Sequence, residues 1–159
     1  MRRALEIVSL AALALLLAET ARALYGPNPL SSPIPTHFNA AGNPNGWGSA
    51  SMLWLFPAIA SALYLLITWV ARHPDAFNFP VRVTPLNRAR LQAIALSMIA
   101  WLKAELLSFF AFIQAGLIRA ARSPGRGFSA VPMPAFLALV FLTMAIHIVA
   151  IFRAARARS

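Results

Sequence analysis

Four long apolar stretches, separated by short polar segments, constrain this chain more than any other feature. They cover residues 4–24, 51–71, 91–118 and 134–152. A helix crosses a bilayer core of about 30 Å with about 20 residues, and each stretch reaches or nearly reaches that length. We therefore predict an all-α integral membrane protein, in which residues 1–159 form a single domain of four transmembrane helices.

Composition favours a membrane partner and argues against nucleic acid. The chain is 60% hydrophobic and 11% charged, whereas roughly 25% of the residues are charged in an average soluble protein. Its net charge of +10 comes from arginines at the ends of the apolar stretches, where they anchor helices to lipid headgroups. We expect the lipid bilayer as a partner and no nucleic acid. The lack of cysteine also excludes disulfides and thiolate metal ligands.

The distribution of arginines predicts the orientation of the chain, because short loops rich in Lys and Arg stay in the cytoplasm. Nine arginines belong to the termini and to the loop of residues 72–90, namely Arg2, Arg3, Arg72, Arg82, Arg88, Arg90, Arg153, Arg156 and Arg158. Four belong to the other side, namely Arg22, Arg119, Arg122 and Arg126. We predict that both termini are cytoplasmic and that the loops of residues 25–50 and 119–133 face outward.

The first apolar stretch has an alternative interpretation as a signal peptide. Arg2 and Arg3 precede an apolar run, and Ala21, Arg22 and Ala23 form an A-x-A site. Cleavage there would leave three spans. The length of the run, and the charges of Glu19 and Arg22 at the site, favour an uncleaved helix instead.

Ionisable side chains inside the spans need partners, because each costs at least ~2.5 kcal/mol at the centre of a membrane helix. Lys103 and Glu105 are two residues apart, so they point about 200° away from each other and require separate partners. Counted from Ala4 and Leu91, Glu19 and Lys103 lie at similar depths of ~22 and ~18 Å. We expect an ion pair between Glu19 and Lys103. The alternatives are that Lys103 extends to the headgroups while Glu105 is protonated or bonded to Ser or Gln, or that these groups form a proton relay.

His147 follows Thr143 by one turn, and we expect it to be hydrogen-bonded to a neighbour. His37, His73 and His147 lack the spacing of metal ligands, so no metal site is predicted. The chain also lacks a G-x-S-x-G motif. The sequence supports no reaction, and we expect neither an enzyme nor a cofactor.

The first loop is uncharged yet well supplied with turn residues. It has Pro at positions 27, 29, 33, 35 and 44 and Gly at positions 26, 42, 46 and 48, which set fixed turns. We predict an ordered cap on the helix ends, with Trp47 at the headgroups and Ser49 capping the second helix.

The segments IPTHFN (residues 34–39) and GNPNGWGS (residues 42–49) resemble a known motif. Together they are similar to the I-P-x-H-F-N-x-x-G-x-x-D-x-W/Y-G-S signature of a family of small bacterial membrane proteins whose domain has no assigned function. Asn45 stands where the family commonly has an acidic residue. The candidate site residues are those of the motif: His37, Phe38, Asn39, Gly42, Gly46, Trp47, Gly48 and Ser49.

The same domain resembles the N-terminal part of the Sdp immunity protein, which protects producing cells from a secreted toxin peptide and signals its presence. The resemblance implies a bacterial inner-membrane protein that senses an external peptide ligand or a membrane-protein partner through this loop. His37 and Asn39 would contact the ligand, or would only fix the shape of the loop. The alternatives are a small transporter or enzyme that uses Glu19, Lys103 and Glu105, and a structural subunit of a membrane complex.

Single cysteines test the predicted orientation, because the chain has none of its own. A membrane-impermeant maleimide added to intact cells should label Ser32→Cys and Ser123→Cys, whose loops face outward. Thr84→Cys should stay unlabelled until the cells are permeabilised. The reverse pattern would contradict the orientation.

Overall fold

The computed structural model describes residues 1–39, 41–123 and 132–156, as four helices and one β-hairpin. Arg126, Arg158 and most of the predicted loop 119–133 lie outside the described residues. The helices are α1 (Arg2–Tyr25), α2 (Leu55–Ala71), α3 (Arg88–Arg122) and α4 (Pro132–Arg156). The strands are β1 (Ile34–Phe38) and β2 (Pro44–Gly48), and 3₁₀ turns cover Ala50–Trp54 and Pro74–Ala76.

The four predicted helices are confirmed, and each is long and apolar enough to cross a membrane, α2 together with the 3₁₀ turn that precedes it (Ala50–Ala71). The largest departure is α3, which has 35 residues and extends beyond the predicted stretch of residues 91–118 at both ends. At about 1.5 Å per residue it is ~50 Å long, which exceeds the hydrocarbon core of a bilayer.

The third helix is the centre of the bundle. It contacts α1 and α2 on one face and α4 on another. Glu6 of α1 bonds Lys103 of α3, and further along both helices Thr20 bonds Gln114. The helices α1 and α3 therefore run in the same direction. The other two helices run against them. We call the end with Tyr25 and Arg122 the hairpin end, and the end with the N-terminus and Arg156 the terminal end.

Buried apolar side chains hold these helices together at two levels. Leu16, Ala60, Leu107 and Ala111 form a layer midway between α1, α2 and α3. At the terminal end, a second cluster packs the end of α4 against the start of α3, through Leu91, Ile151 and Ala154. The outward faces carry large exposed apolar side chains, among them Leu10, Leu15, Leu65, Phe141, Leu142 and Ile146. Apolar surface of this extent is typical of contact with lipid or protein.

The hairpin corrects the all-α prediction. Strands β1 and β2 pair antiparallel, from Ile34 opposite Gly48 to Phe38 opposite Pro44, with register irregularities between them. Short strands rich in Pro and Gly carry little of the alternating pattern that identifies a strand in sequence, so the pairing was missed. Ile34 packs against Ala23 and Leu53, which fixes β1 to the hairpin end of the bundle.

Two serines join the hairpin to α2. The Ser49 hydroxyl accepts a hydrogen bond from the Ser51 amide at 3.3 Å, at the start of the 3₁₀ turn. The Ser32 hydroxyl accepts one from the Ala50 amide at 2.9 Å. Ser49 therefore caps the segment that leads into α2. Pro57 lies in the first turn of α2, where its missing amide hydrogen leaves no helical bond unmade.

Candidate functional site

Four polar side chains meet between α1, α2 and α3 near the terminal end, and we call them the Lys103 cluster: Glu6, Tyr64, Thr68 and Lys103. Lys103 is 4% exposed. Its Nζ lies 2.5 Å from Glu6 Oε2 and donates to Thr68 Oγ1 at 3.1 Å. The Tyr64 hydroxyl donates to Glu6 Oε1 at 2.6 Å, and Nζ lies 4.7 Å from the centre of the Tyr64 ring. The buried charge of Lys103 is thus matched by one carboxylate and two further contacts.

The predicted pair of Glu19 and Lys103 is wrong, because the two helices are displaced relative to the register assumed from the sequence. The alignment of Ala4 with Leu91, which was assumed from the sequence, pairs each residue of α1 with the residue of α3 that lies 87 positions later. In the structure, Lys103 bonds a residue 97 positions earlier, and Gln114 bonds Thr20, 94 positions earlier. A displacement of this size moves the partner by ~10 to ~15 Å along the helix.

Sequence reasoning missed Glu6, which lies near the start of the predicted stretch of residues 4–24, because the comparison of depths selected Glu19. The small number of acidic residues in the chain could have pointed to Glu6. The chain has four, and Asp75 falls in a loop. Glu105 points away from Lys103, so only Glu6 and Glu19 remained as helical partners for Lys103.

Glu105 faces α4, so the prediction that Lys103 and Glu105 take separate partners is confirmed. Its Oε1 accepts from the Thr143 hydroxyl at 2.5 Å, whereas its buried Oε2 has no hydrogen-bond partner among the described residues. The hydrogen-bonding alternative for Glu105 thus holds, with Thr143 in place of the expected Ser or Gln. The carboxyl also lines a largely apolar groove of about 490 Å³ between α1 and α4.

His147 has two neighbours, as expected. Its Nδ1 lies 2.8 Å from the Thr143 carbonyl oxygen, and its Nε2 lies 3.2 Å from Ser97 Oγ. Because a carbonyl only accepts, Nδ1 donates and Nε2 accepts from the serine. Within residues 1–39, 41–123 and 132–156, no group of three or more His, Asp or Glu is placed to hold a metal ion.

Gln114 forms a second polar contact, nearer the hairpin end. Its fully buried amide donates to Thr20 Oγ1 at 2.6 Å and to the Leu53 carbonyl at 2.9 Å. The apolar layer that contains Leu16 and Leu107 lies between this contact and the Lys103 cluster. The described interface of α1, α2 and α3 is therefore not a continuous polar path.

Glu19 lies at the hairpin end and among arginines. It lines a groove of about 290 Å³ together with Arg22, Arg119 and Arg122. Its Oε2 is buried without a hydrogen-bond partner in the described part of the chain. Its surroundings are basic, but its position is far from Lys103.

The motif residues build the hairpin. His37 Nδ1 lies 2.5 Å from Asn45 Oδ1 across the strands. Asn39 closes the turn, because its side-chain oxygen accepts from the Asn43 amide at 2.9 Å and its own amide donates to the Asn43 carbonyl at 2.9 Å. Gly42 has a φ of 81°, which favours glycine. A Cβ at Gly46 would lie 2.9 Å from His37 Cβ, so the strands can approach only with glycine there.

Residues 10–60 match the family model of DUF1648, a domain of unknown function. No curated protein and no solved structure matches the chain. The matched segment contains most of α1, the hairpin and the start of α2, and so includes every residue of the motif. It excludes Glu6, Lys103, Glu105 and His147. The segment that matches this domain therefore contains the hairpin and its support, and it lies outside the Lys103 cluster.

A double-mutant cycle tests the Lys103 cluster. Glu6→Gln should lower the free energy of unfolding by about 3 kcal/mol, since it leaves a buried ammonium without its counter-ion. Lys103→Met should lower it less, because the Glu6 side chain is 40% exposed and keeps its bond from Tyr64. The double variant should lose less than the sum of the two, as measured by denaturation in detergent.

Glu19→Gln is the matched control for this cycle. Combined with Lys103→Met, its effect should be additive, because the two side chains do not meet. Additivity of Glu6→Gln with Lys103→Met would contradict the ion pair, and coupling of Glu19→Gln with Lys103→Met would restore the pair expected from the sequence.

Proposed function

We propose that this chain is a bacterial inner-membrane protein with both termini in the cytoplasm, and that its hairpin binds an external peptide or a partner membrane protein. The observation that carries the proposal is the hairpin itself. Ile34 anchors it to the bundle, while Trp47, which is 59% exposed, and His37 are presented to the surroundings.

Membrane placement is supported by length, surface and charge. Four helices meet the length and composition needed to cross a bilayer. Their outward faces carry exposed Leu, Ile and Phe side chains. The excess of arginines in the termini and the loop of residues 72–90 favours a cytoplasmic terminal end, and with it a hairpin on the outer side.

Binding is favoured over transport or catalysis by the way the buried charges are used. Lys103 is held by Glu6 and Thr68, and Glu105 is held by Thr143. A relay or carrier site needs polar groups that connect the two faces, whereas an apolar layer separates the Lys103 cluster from Gln114. These groups fit a structural role.

The chemistry of the hairpin indicates the kind of ligand. Residues 23–71 carry no Lys, Arg, Asp or Glu, so the hairpin selects by apolar contact and hydrogen bonds rather than by charge. Trp47 offers a large apolar face. Because His37 Nδ1 donates to Asn45, its Nε2 is left as an acceptor. An uncharged or apolar peptide fits these groups, in agreement with the sensing or immunity-type role implied by the resemblance.

Site-specific photocrosslinking in intact cells of the native host tests the proposal. Benzoylphenylalanine at position 47 should give a discrete product with a secreted peptide or a membrane protein, identified by mass spectrometry. The matched control is position 69, where Trp69 is 60% exposed at the terminal end. Identical products from both positions, or lipid adducts alone, would contradict recognition by the hairpin.

His37→Ala separates a shaping role from a contact role. If His37 only holds Asn45, the variant should be cut more readily by protease within residues 34–48. If Nε2 contacts the ligand, protease resistance and melting temperature should persist while the product at position 47 is lost. A wild-type hairpin cut as fast as an unstructured linker would contradict both roles.

A further inference from the structure

An open groove at the terminal end lies between α3 and α4 and has arginines at one side. Its volume is about 680 Å³. The apolar lining comes from Ile94 of α3 and from Ala145, Ile146, Val149 and Ala150 of α4, and the basic lining comes from Arg90 and Arg153. The groove thus has a charged mouth and an apolar body.

Helical spacing produces this division. Arg90 and Ile94 are four residues apart on α3, and Ala145, Val149 and Arg153 follow the same spacing on α4, so each set shares one helix face. From Arg153 to Ala145 the helix rises ~12 Å. The apolar lining therefore extends from the level of the arginines into the interior of the predicted span.

Among the residues that the structure describes, the two arginines have no counter-ion. Asp75 is the acid of this loop region, and it is engaged by the Gln92 amide at 2.9 Å and by Arg88 at 3.9 Å. Neither Arg90 nor Arg153 makes an ion pair with a described residue, and both are exposed. Two unpaired guanidinium groups at the mouth of one groove favour an anionic ligand.

We infer that this groove binds an anionic phospholipid of the cytoplasmic leaflet, with its phosphodiester between Arg90 and Arg153 and an acyl chain along Val149 and Ala145. The inference rests on the proposed placement in the membrane and is independent of the role of the hairpin. It accounts for both parts of the groove, since a phosphodiester accepts hydrogen bonds from guanidinium groups and an acyl chain fills apolar surface.

A soluble acidic peptide would satisfy only part of this groove. It could neutralise Arg90 and Arg153, but Ala145 and Ile146 lie deeper, at the level of the hydrocarbon. A phospholipid has its charge at the level of the two arginines and its acyl chains at the level of Ala145 and Ile146. The geometry therefore favours the lipid.

Lipid titration by native mass spectrometry tests the inference on the full chain in detergent. The probes are dioleoyl phosphatidylglycerol and, as the zwitterionic reference, dioleoyl phosphatidylcholine. The wild type should bind one phosphatidylglycerol on the order of 25-fold more tightly than phosphatidylcholine, since each of the two arginines contributes on the order of a fivefold gain near a lipid surface. R90Q/R153Q should bring the two affinities within about twofold of each other.

Two further variants keep the inference falsifiable. R72Q/R82Q removes the same charge from the same end without touching the groove, and it should keep the preference for phosphatidylglycerol. Val149→Trp fills the apolar body at an exposed position and should weaken both lipids. An equal loss of preference in R72Q/R82Q, or undiminished lipid binding by Val149→Trp, would overturn the site.

Failure of this site and failure of the proposed function are distinguishable. Loss of lipid preference leaves the cysteine labelling pattern and the crosslink at position 47 unchanged. Labelling of Thr84→Cys from outside intact cells would instead overturn the membrane orientation, and with it the assignment of the groove to the cytoplasmic leaflet.

Discussion

Burial of the Lys103 ammonium is the constraint on which the arrangement of the helices depends. A charged group within an apolar bundle is tolerated only beside a counter-ion, and Glu6 of α1 supplies it. This pairing fixes the position of α1 along α3. Glu105, two residues later, points to the opposite side and is met by Thr143 of α4. The polar residues of one helix thus determine which neighbours pack on each of its faces.

Much of this architecture follows from the sequence, because apolar length and helical geometry act locally. The four helices, the separate partners of Lys103 and Glu105, and the hydrogen bonding of His147 could all be predicted. The partner of Lys103 could not, since α3 is longer than the bilayer core and its depth cannot be read from the start of an apolar stretch. An axial displacement of ~10 to ~15 Å exchanges Glu6 for Glu19.

The residues of the motif could be picked out from the sequence, but the shape that they form could not. The motif identified His37, Asn39 and the glycines, while the pairing of β1 with β2 depends on contacts across the turn that no local periodicity shows. The structure explains the motif: Asn39 closes the turn, and Gly46 lets the strands approach at His37. Trp47 differs from these motif residues, because the packing of the hairpin does not explain why so large an apolar side chain is exposed.

These features divide the molecule into two ends joined by α3. The hairpin end contains the motif residues of the segment that matches DUF1648, and with them the proposed surface for external recognition. The terminal end contains the Lys103 cluster and the arginine-flanked groove, where contact with the cytoplasmic leaflet is proposed. Leu117 of α3 packs beneath the hairpin, and Arg90 of the same helix lines the groove. One continuous helix therefore connects the two surfaces.

Disulfide mapping of α1 against α3 tests the register of these helices most directly, because the chain has no cysteine of its own. If Lys103 and Glu6 set the register, Leu16→Cys should form a disulfide with Ala111→Cys under mild oxidation in membranes, because both residues belong to the same buried layer. Leu16→Cys with Ala104→Cys should remain reduced, since the two lie ~10 Å apart along the helix axes. Efficient crosslinking of Leu16→Cys to Ala104→Cys, without crosslinking to Ala111→Cys, would contradict the register and the ion pair that sets it.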